Sequence, residues 1–125
     1  MVALTVNEVS KKLNISVHTV RFYDDQGLFP GVIRDKHGKR LFSDESLEWA
    51  HLVLCLRNTG MSIADIKHFI ELCKAGDSTL LERYNIILAQ KKKAESDLEE
   101  MQKRLCIISG KEKWYKSLLT DKKGN

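Results

Sequence analysis

Apolar residues recur at helical spacing in four segments near the start of the chain, and short runs of turn-forming residues separate these segments. The segments cover about residues 6–13, 17–26, 44–59 and 63–75. Thr5 and Glu8 are spaced as a capping box before the first segment, Ser16 is placed to cap the second, and Gly27 can end it in the left-handed conformation. Because only residues 14–16 separate the first two segments, the pattern predicts a helix-turn-helix.

A different pattern fills the stretch between the second and third predicted helices. After Pro30, two apolar pairs at residues 32–33 and 41–42 flank a turn that contains His37 and Gly38, which predicts a short β-hairpin, or wing. The cations of this wing are Arg34, Lys36, Lys39 and Arg40. The predicted fold class is therefore mainly α, with a winged helix-turn-helix domain at residues 1–76.

From Ser78 onward the apolar positions recur at alternating steps of four and three. This heptad spacing predicts a long helix that dimerises as a coiled coil, within a segment at residues 77–119. The residues assigned to the dimer interface are Leu80, Tyr84, Ile87, Ala94, Leu98, Met101, Leu105 and Ile108. We expect Gly110 to loosen or end the helix, residues 114–119 to pack back as a short terminal piece, and residues 120–125 to form a flexible tail.

Charge is unevenly distributed along the chain. Lys and Arg outnumber Asp and Glu by seven to four in residues 1–42 and by eleven to eight in residues 77–125, whereas residues 43–76 have three against five. A net charge of +4 is compatible with nucleic-acid binding but does not establish it. The sequence contains no apolar run of the roughly 18 residues that a membrane span needs, no signal peptide, and three unpatterned cysteines. These features predict a cytoplasmic protein that does not contact the membrane.

The order of these elements favours DNA binding. A recognition helix enters the major groove by its N-terminal part, and a cationic loop behind it can hold the flanking phosphates. For the second helix alone, a solvated surface is the competing interpretation, and for the wing alone it is a solubilising loop. The candidate DNA-binding residues are Ser16, His18, Thr19, Arg21 and Tyr23 on the helix, and Arg34, Lys36, Lys39 and Arg40 in the wing.

Residues 5–30 closely resemble the start of the MerR family of bacterial transcription regulators, and residues 38–42, residues 56–62 and the long helix behind them continue the resemblance. The resemblance implies a winged-helix domain joined to an antiparallel coiled-coil dimer. It implies that the dimer binds a palindromic operator in double-stranded promoter DNA and, on effector binding, bends and untwists the DNA for RNA polymerase. By the same resemblance, the DNA contacts are made by Thr19, Arg21, Tyr23 and Arg40. Phe22 and Phe42 stand where the family often has tyrosine, which removes any hydroxyl–phosphate bond there.

The cysteines bear on what such a regulator senses. No pair has metal-ligand spacing, so we expect no metal site and no cofactor. Cys55 resembles the single cysteine of the family branch that responds to aldehydes and other thiol-reactive electrophiles, and Arg57 is placed to lower its pKa. The alternative is that Cys55 is a small buried apolar residue.

Two other function classes compete with DNA binding. The sequence has no nucleophile elbow, no Ser-His-Asp set and no glycine-rich phosphate loop, so an enzyme is not expected. A coiled-coil interaction module whose basic head docks an acidic protein, with no specific DNA site, would explain the heptads. It would leave the ordered motifs of residues 5–42 without a reason.

Overall fold

The computed structural model describes residues 3–124. The elements in chain order are α1 (Val6–Leu13), α2 (Val17–Asp25), β1 (Ile33–Arg34), β2 (Arg40–Leu41), α3 (Asp44–Asn58), α4 (Ile63–Ala75), a 3-10 turn (Asp77–Thr79) and α5 (Leu80–Gly124). The chain divides into two compact units, the first ending at Ile86 and the second beginning at Ile87. The fold is a winged helix-turn-helix followed by a long helix, which confirms the predicted fold class.

The predicted helix starts are present. The Oγ1 atom of Thr5 accepts the N–H of Glu8 at 3.2 Å and the Glu8 carboxylate accepts the N–H of Thr5 at 3.0 Å, which completes the capping box of α1. The Oγ atom of Ser16 accepts the N–H of Thr19 at 3.0 Å at the start of α2. Gly27 follows the end of α2 with φ +79°, a conformation that favours glycine. These local bonds fix where both helices of the pair begin and end.

A single apolar core holds the first unit together. Its fully buried residues come from every part of the helix-turn-helix and the segments behind it, and include Val9, Val20, Leu28, Phe42, Ala50, Val53 and Ile66. Phe29 and Phe42 pack edge to face with their ring centroids 5.8 Å apart. The core therefore fixes α1 and α2 from behind and leaves their opposite faces in solvent.

The wing is a two-stranded antiparallel hairpin in which Ile33 pairs with Leu41 and Arg34 with Arg40. Its base joins the start of the chain, because Leu4 and Phe42 exchange two backbone hydrogen bonds of 2.8 Å. At the tip, Gly38 has φ +81° and its N–H donates to the carbonyl of Asp35 at 3.0 Å. The predicted hairpin and its turn are therefore present.

The first unit extends past residue 76, where the sequence placed the end of the domain, because the start of α5 is bonded back to the chain before it. Arg83 donates to the carbonyl of Gly76 and to the hydroxyl of Thr79, both at 3.0 Å. Ile86 is partly buried and packs against the core. The first turns of α5 consequently belong to the unit that carries the helix-turn-helix.

The prediction of a break at Gly110 is wrong, since α5 continues through it to Gly124. A glycine inside a helix costs about 1 kcal/mol relative to alanine. Because helix formation is cooperative, a long helix tolerates that cost at a single position. Trp114 and Leu119 lie in this helix and are exposed, so the expected terminal piece does not pack back. The helix also includes residues 120–124 of the expected tail, and Asn125 lies outside the described residues. Within the described part of the chain, no helix has the length and apolar content that crossing a membrane requires.

Candidate nucleic-acid interface

The recognition helix α2 presents one stripe of side chains to solvent. His18, Arg21, Phe22 and Asp25 are exposed, and their spacing of three and four residues places them on one face. Val20 points the other way and is fully buried. The predicted contacts His18 and Arg21 therefore lie on the outward face, together with Phe22, whose ring is 45% exposed.

Ser16 and Thr19 stand at the N-terminal end of this helix, and the fold already uses their hydroxyls. The two oxygens lie 2.8 Å apart in a hydrogen bond, while Ser16 also accepts the Thr19 N–H. Ser16 is thus a helix cap as well as a candidate contact. A bound phosphate would share these hydroxyls with the cap.

Tyr23 lies on the flank of α2 and is half-buried. Its ring packs edge to face against Phe29 at 6.1 Å and lies 5.9 Å from Phe22. A groove of about 300 Å³ runs beside it, lined by His18, Thr19, Phe22, Tyr23, Arg57 and Ile63. Arg57 was not predicted to lie in this groove, because the sequence drew attention to it only as a neighbour of Cys55. Arg57 stands in the last turn of α3, where its guanidinium donates to the carbonyl of Met61 at 3.0 Å while it lines this groove.

The wing carries its cations around a tight, self-bonded turn. One carboxylate oxygen of Asp35 accepts the N–H groups of His37 at 2.8 Å and Lys39 at 3.0 Å, and Arg34 donates to the carbonyl of Gly38 at 3.0 Å. The side chains of Lys36 and Lys39 are exposed at this turn. These two ammonium groups are therefore held on a rigid loop and face solvent.

Arg40 differs from the other wing cations because its side chain is only 12% exposed. Its Nη2 donates to Asp25 at 2.5 Å, and its Nε lies 3.0 Å from Asp24. The second contact is ionic rather than a hydrogen bond, since no acceptor within residues 3–124 lies in line with the buried Nε. Arg40 thus turns toward the end of the recognition helix.

The ionisation of Asp24 reflects this partly buried position. Burial raises the pKa of Asp24 above its ordinary value, and the neighbouring Arg40 guanidinium opposes that rise. The Asp25 carboxylate raises the pKa of Asp24 further, and Arg34 lowers it. Because burial is the larger effect, the Asp24 charge is costly to keep in this place.

The two groups of candidate residues meet in one cleft of about 740 Å³. Arg21 reaches it from α2, and the wing and the start of α1 form the other walls. Its lining residues are Thr5, Val6, Asn7, Arg21, Arg34, Asp35, Gly38, Lys39, Arg40 and Leu41. By helix geometry, the N–H groups of Val6 and Asn7 have no partner within α1, and the positive end of the helix dipole points outward there. Sequence reasoning missed Asn7; the capping box before it was the available signal.

Residues 4–73 match the family model of MerR HTH family regulatory proteins. The chain belongs to the MerR family. A relative described as an uncharacterised HTH-type transcriptional regulator of Haemophilus influenzae is 40% identical over 111 residues, which is 89% of this chain and 82% of the relative. The HTH-type transcriptional regulator AdhR of Bacillus subtilis is 30% identical over 90 residues, 72% of this chain and 64% of AdhR.

Solved structures that resemble this chain are also MerR family regulators. The crystal structure of HiNmlR, a MerR family regulator that lacks the sensor domain and is bound to promoter DNA, has a TM-score of 0.77 and 39% identity, and covers 93% of this chain and 92% of that one. A MerR family regulator from Bacillus thuringiensis has a TM-score of 0.73 and 36% identity, with coverage of 88% and 96%. This MerR-family chain is a DNA-binding transcriptional regulator, and the relatives named here are regulators rather than enzymes.

Cys55 of this regulator is exposed on α3, whereas its neighbours Val53 and Leu56 are buried. The interpretation of Cys55 as a core residue of its own unit is therefore wrong. Arg57, which was expected to act on the thiol, bonds instead to Met61 and lines the groove beside α2. Within residues 3–124, no group of three His, Cys, Asp or Glu side chains is arranged to hold a metal ion.

The residues assigned to dimerisation are exposed in both units. In the first unit, Leu80 and Tyr84 leave more than half of their surface uncovered at the start of α5. In the second unit, the exposed residues of the same heptad pattern are Ile87, Ala94, Leu98, Met101, Leu105 and Ile108. Large apolar side chains at this spacing are the pattern of a helix that has a partner.

Proposed function

We propose that this regulator binds a palindromic promoter operator as a homodimer and controls RNA polymerase by changing the geometry of the promoter DNA. One observation carries the DNA-binding part: Arg21 of the recognition helix and Arg34 and Lys39 of the wing line the same cleft, beside the positive end of α1. A phosphate backbone entering this cleft meets cations from two elements. The similar regulator HiNmlR is bound to promoter DNA, which supports DNA binding by this chain.

The proposal assigns different roles to the candidate residues. His18 and Arg21 stand on the outward face of α2 and reach base edges, since a recognition helix reads the major groove with such side chains. Thr19, Tyr23 and the wing cations Arg34, Lys36 and Lys39 contact phosphates. Ser16 holds the start of the helix and offers its hydroxyl to the same backbone.

Dimerisation follows from the exposed heptad residues of α5. Leaving them exposed to water lowers solubility, whereas burying them against a second copy gains about 25 cal/mol for each Å² of apolar surface. A dimer with two recognition helices requires two related half-sites, which is the reason for proposing a palindromic operator. Control of transcription by bending and untwisting the DNA rests on the family resemblance.

The proposed DNA binding is tested by selecting duplexes from a randomised library and titrating the recovered duplex by fluorescence anisotropy at several salt concentrations. Wild-type protein should prefer the selected duplex over a scrambled one, and its affinity should fall steeply with salt. Arg21→Ala should weaken binding by about 1–3 kcal/mol if Arg21 makes a bidentate base contact. Lys74→Ala removes an exposed cation from the last turn of α4 and serves as the matched control. Binding without sequence preference and without a salt slope would exclude the operator hypothesis.

We also propose that Cys55 is the site at which the regulator senses aldehydes or other electrophiles. Two facts support it: the thiol is exposed on α3, and its position resembles that of the single cysteine in the electrophile-responsive branch of the family. Attack by the thiolate on an aldehyde carbon would form a C–S bond while the C=O π bond opens to an alkoxide, which takes a proton from water, so that a hemithioacetal larger than the thiol stands on α3. Such an adduct changes the surface of the helix that directly follows the wing.

The sensor hypothesis is tested with a promoter-reporter strain treated with formaldehyde, and by mass spectrometry of the purified protein. Treatment should add mass at Cys55 and change reporter output, and Cys55→Ser should abolish the change. Cys106→Ser is the control, because Cys106 is also exposed but lies on α5. A reporter response that persists in Cys55→Ser would rule out sensing through this residue.

A further inference from the structure

Arg40 joins two elements that are separate in sequence. Arg40 is the first residue of β2, and its guanidinium lies against the carboxylates of Asp24 and Asp25 at the end of α2. The side chain of Asp24 is 16% exposed, like the nearly covered side chain of Arg40, whereas that of Asp25 is 59% exposed. One guanidinium therefore ties the wing to the recognition helix across fifteen positions of sequence.

Apolar packing holds the base of the wing, where Phe42 is fully buried and Val32 packs against the core, but it does little nearer the tip. Ile33 is 63% exposed and Leu41 is only partly buried, so the paired strands add little to the core. The backbone anchor lies at the base, where Phe42 pairs with Leu4. A two-stranded hairpin with one anchored end is marginal by itself, so contacts nearer the tip decide its angle to α2.

The charges around Arg40 also argue against a direct role on DNA. A phosphate that approached this guanidinium would meet the carboxylates of Asp24 and Asp25, whose oxygens lie 3.0 Å from Nε and 2.5 Å from Nη2. Two carboxylates beside a phosphate repel it, and a bidentate phosphate contact needs two free guanidinium nitrogens. Lys36 and Lys39 are exposed and have no such competition from those two carboxylates.

We propose that Arg40, held by Asp24 and Asp25, is a positioning residue that fixes the wing against the recognition helix, and that it is not a phosphate contact. The inference rests on the proposed DNA binding and makes it more specific: the phosphate contacts of the wing come from Arg34, Lys36 and Lys39. It departs from the expectation that Arg40 itself touches DNA. These ion pairs of Arg40, called the tie below, set the distance between α2 in the DNA groove and the wing cations beside it.

The sign of the Asp24→Asn effect on DNA affinity tests the proposal. If Asp24 only competes with DNA for Arg40, removing its charge frees the guanidinium and binding tightens. If Asp24 holds the wing in place, Asp24→Asn weakens binding by about tenfold, a coupling typical of residues in one ion-pair network. The measurement is anisotropy with the duplex recovered by selection, at about 0.15 M salt. Affinity within about twofold of wild type, or tighter, overturns the proposal.

Two comparison variants show whether the change in DNA affinity comes from the contact with Arg40 or from the loss of any negative charge. Glu48→Gln removes an exposed carboxylate from α3 and reports the effect of one lost negative charge away from Arg40. Asp25→Asn removes the more exposed partner and carries the test if Asp24→Asn does not fold. The same loss of affinity is expected for Asp25→Asn, and tighter binding would again contradict the tie. In the double variant Asp24→Asn/Arg40→Gln, affinity should match that of Arg40→Gln alone.

A measurement without DNA separates this proposal from the proposed function. Amide hydrogen exchange of residues 33–41 should be faster in Asp24→Asn and Arg40→Gln than in wild type, and unchanged in Glu48→Gln, because the released wing opens more often. Equal exchange in all four proteins overturns the tie, whether or not the protein binds DNA. If the exchange changes but wild type shows no preference for the selected duplex, the tie stands and the proposed function fails.

Discussion

Replacing Leu98 by lysine should convert the proposed dimer into monomers and remove binding to the proposed operator at concentrations where the wild type binds fully. Leu98 is 60% exposed in the single chain and lies midway along the heptad residues of the second unit. Burying one leucine contributes about 2 kcal/mol, so the two leucines of a dimer contribute about 4 kcal/mol, roughly a thousandfold in the dimer dissociation constant. The added ammonium groups raise the penalty further, because an unpaired charge in an apolar seam is not tolerated.

Analytical ultracentrifugation and anisotropy with the selected duplex measure the two consequences. Ser96→Lys is the control, since it adds the same charge on the same helix about 200° away from Leu98. It should leave the dimer and its DNA affinity close to wild type. A Leu98→Lys protein that sediments as a dimer and retains full affinity would show that α5 does not pair through this seam.

Replacing Phe42 by alanine should lower the free energy of unfolding by about 3–5 kcal/mol, the usual cost of emptying a buried phenylalanine site. The side chain of Phe42 is 0% exposed and packs edge to face with Phe29, while its backbone bonds to Leu4. The substitution therefore removes core volume at the base of the wing. Since the free energy of unfolding of small domains is about 5–15 kcal/mol, the substitution removes much of it.

Urea denaturation followed by circular dichroism gives this free energy, at one fixed protein concentration because the proposed dimerisation would add to stability. Phe22→Ala is the matched control: the same substitution at a ring that is 45% exposed should cost about 1 kcal/mol or less. Equal losses for Phe42→Ala and Phe22→Ala would contradict the placement of Phe42 in the core. Phe22→Ala serves a second purpose in the anisotropy assay, because it removes an apolar group from the outward face of α2.

The local features of the fold were accessible from the sequence. The capping box of Thr5 and Glu8, the Ser16 cap and the turn at Gly38 all depend on residues within about four positions of one another. The order of helix, turn, helix and wing could be inferred for the same reason. Apolar spacing also predicts a long terminal helix. Gly110 does not end it, because one weak helix former has little effect within a long helix.

The candidate site was only partly predictable. The sequence identified Arg21, Lys36 and Lys39 as cations, and the structure places all three at the surface of the first unit. It could not show that Arg57, from the end of α3, reaches the groove beside α2. Nor could it show that Cys55 is exposed, since an apolar helix face and an exposed flank have similar local sequence.

The sequence by itself determined the elements, their order, the cationic character of the helix and wing, and the heptad face of α5. These properties arise from neighbouring residues and from helical periodicity, so no tertiary information is needed. Only the tertiary structure decided which wing cations face solvent and which one pairs with carboxylates. Arg34, Lys36, Lys39 and Arg40 look equivalent in one short run, yet packing the wing beside α2 brings Arg40 to Asp24 and Asp25 and leaves Lys36 and Lys39 in solvent. An ion pair between distant positions exists because the folded backbone brings the partners together, and local sequence does not encode that distance.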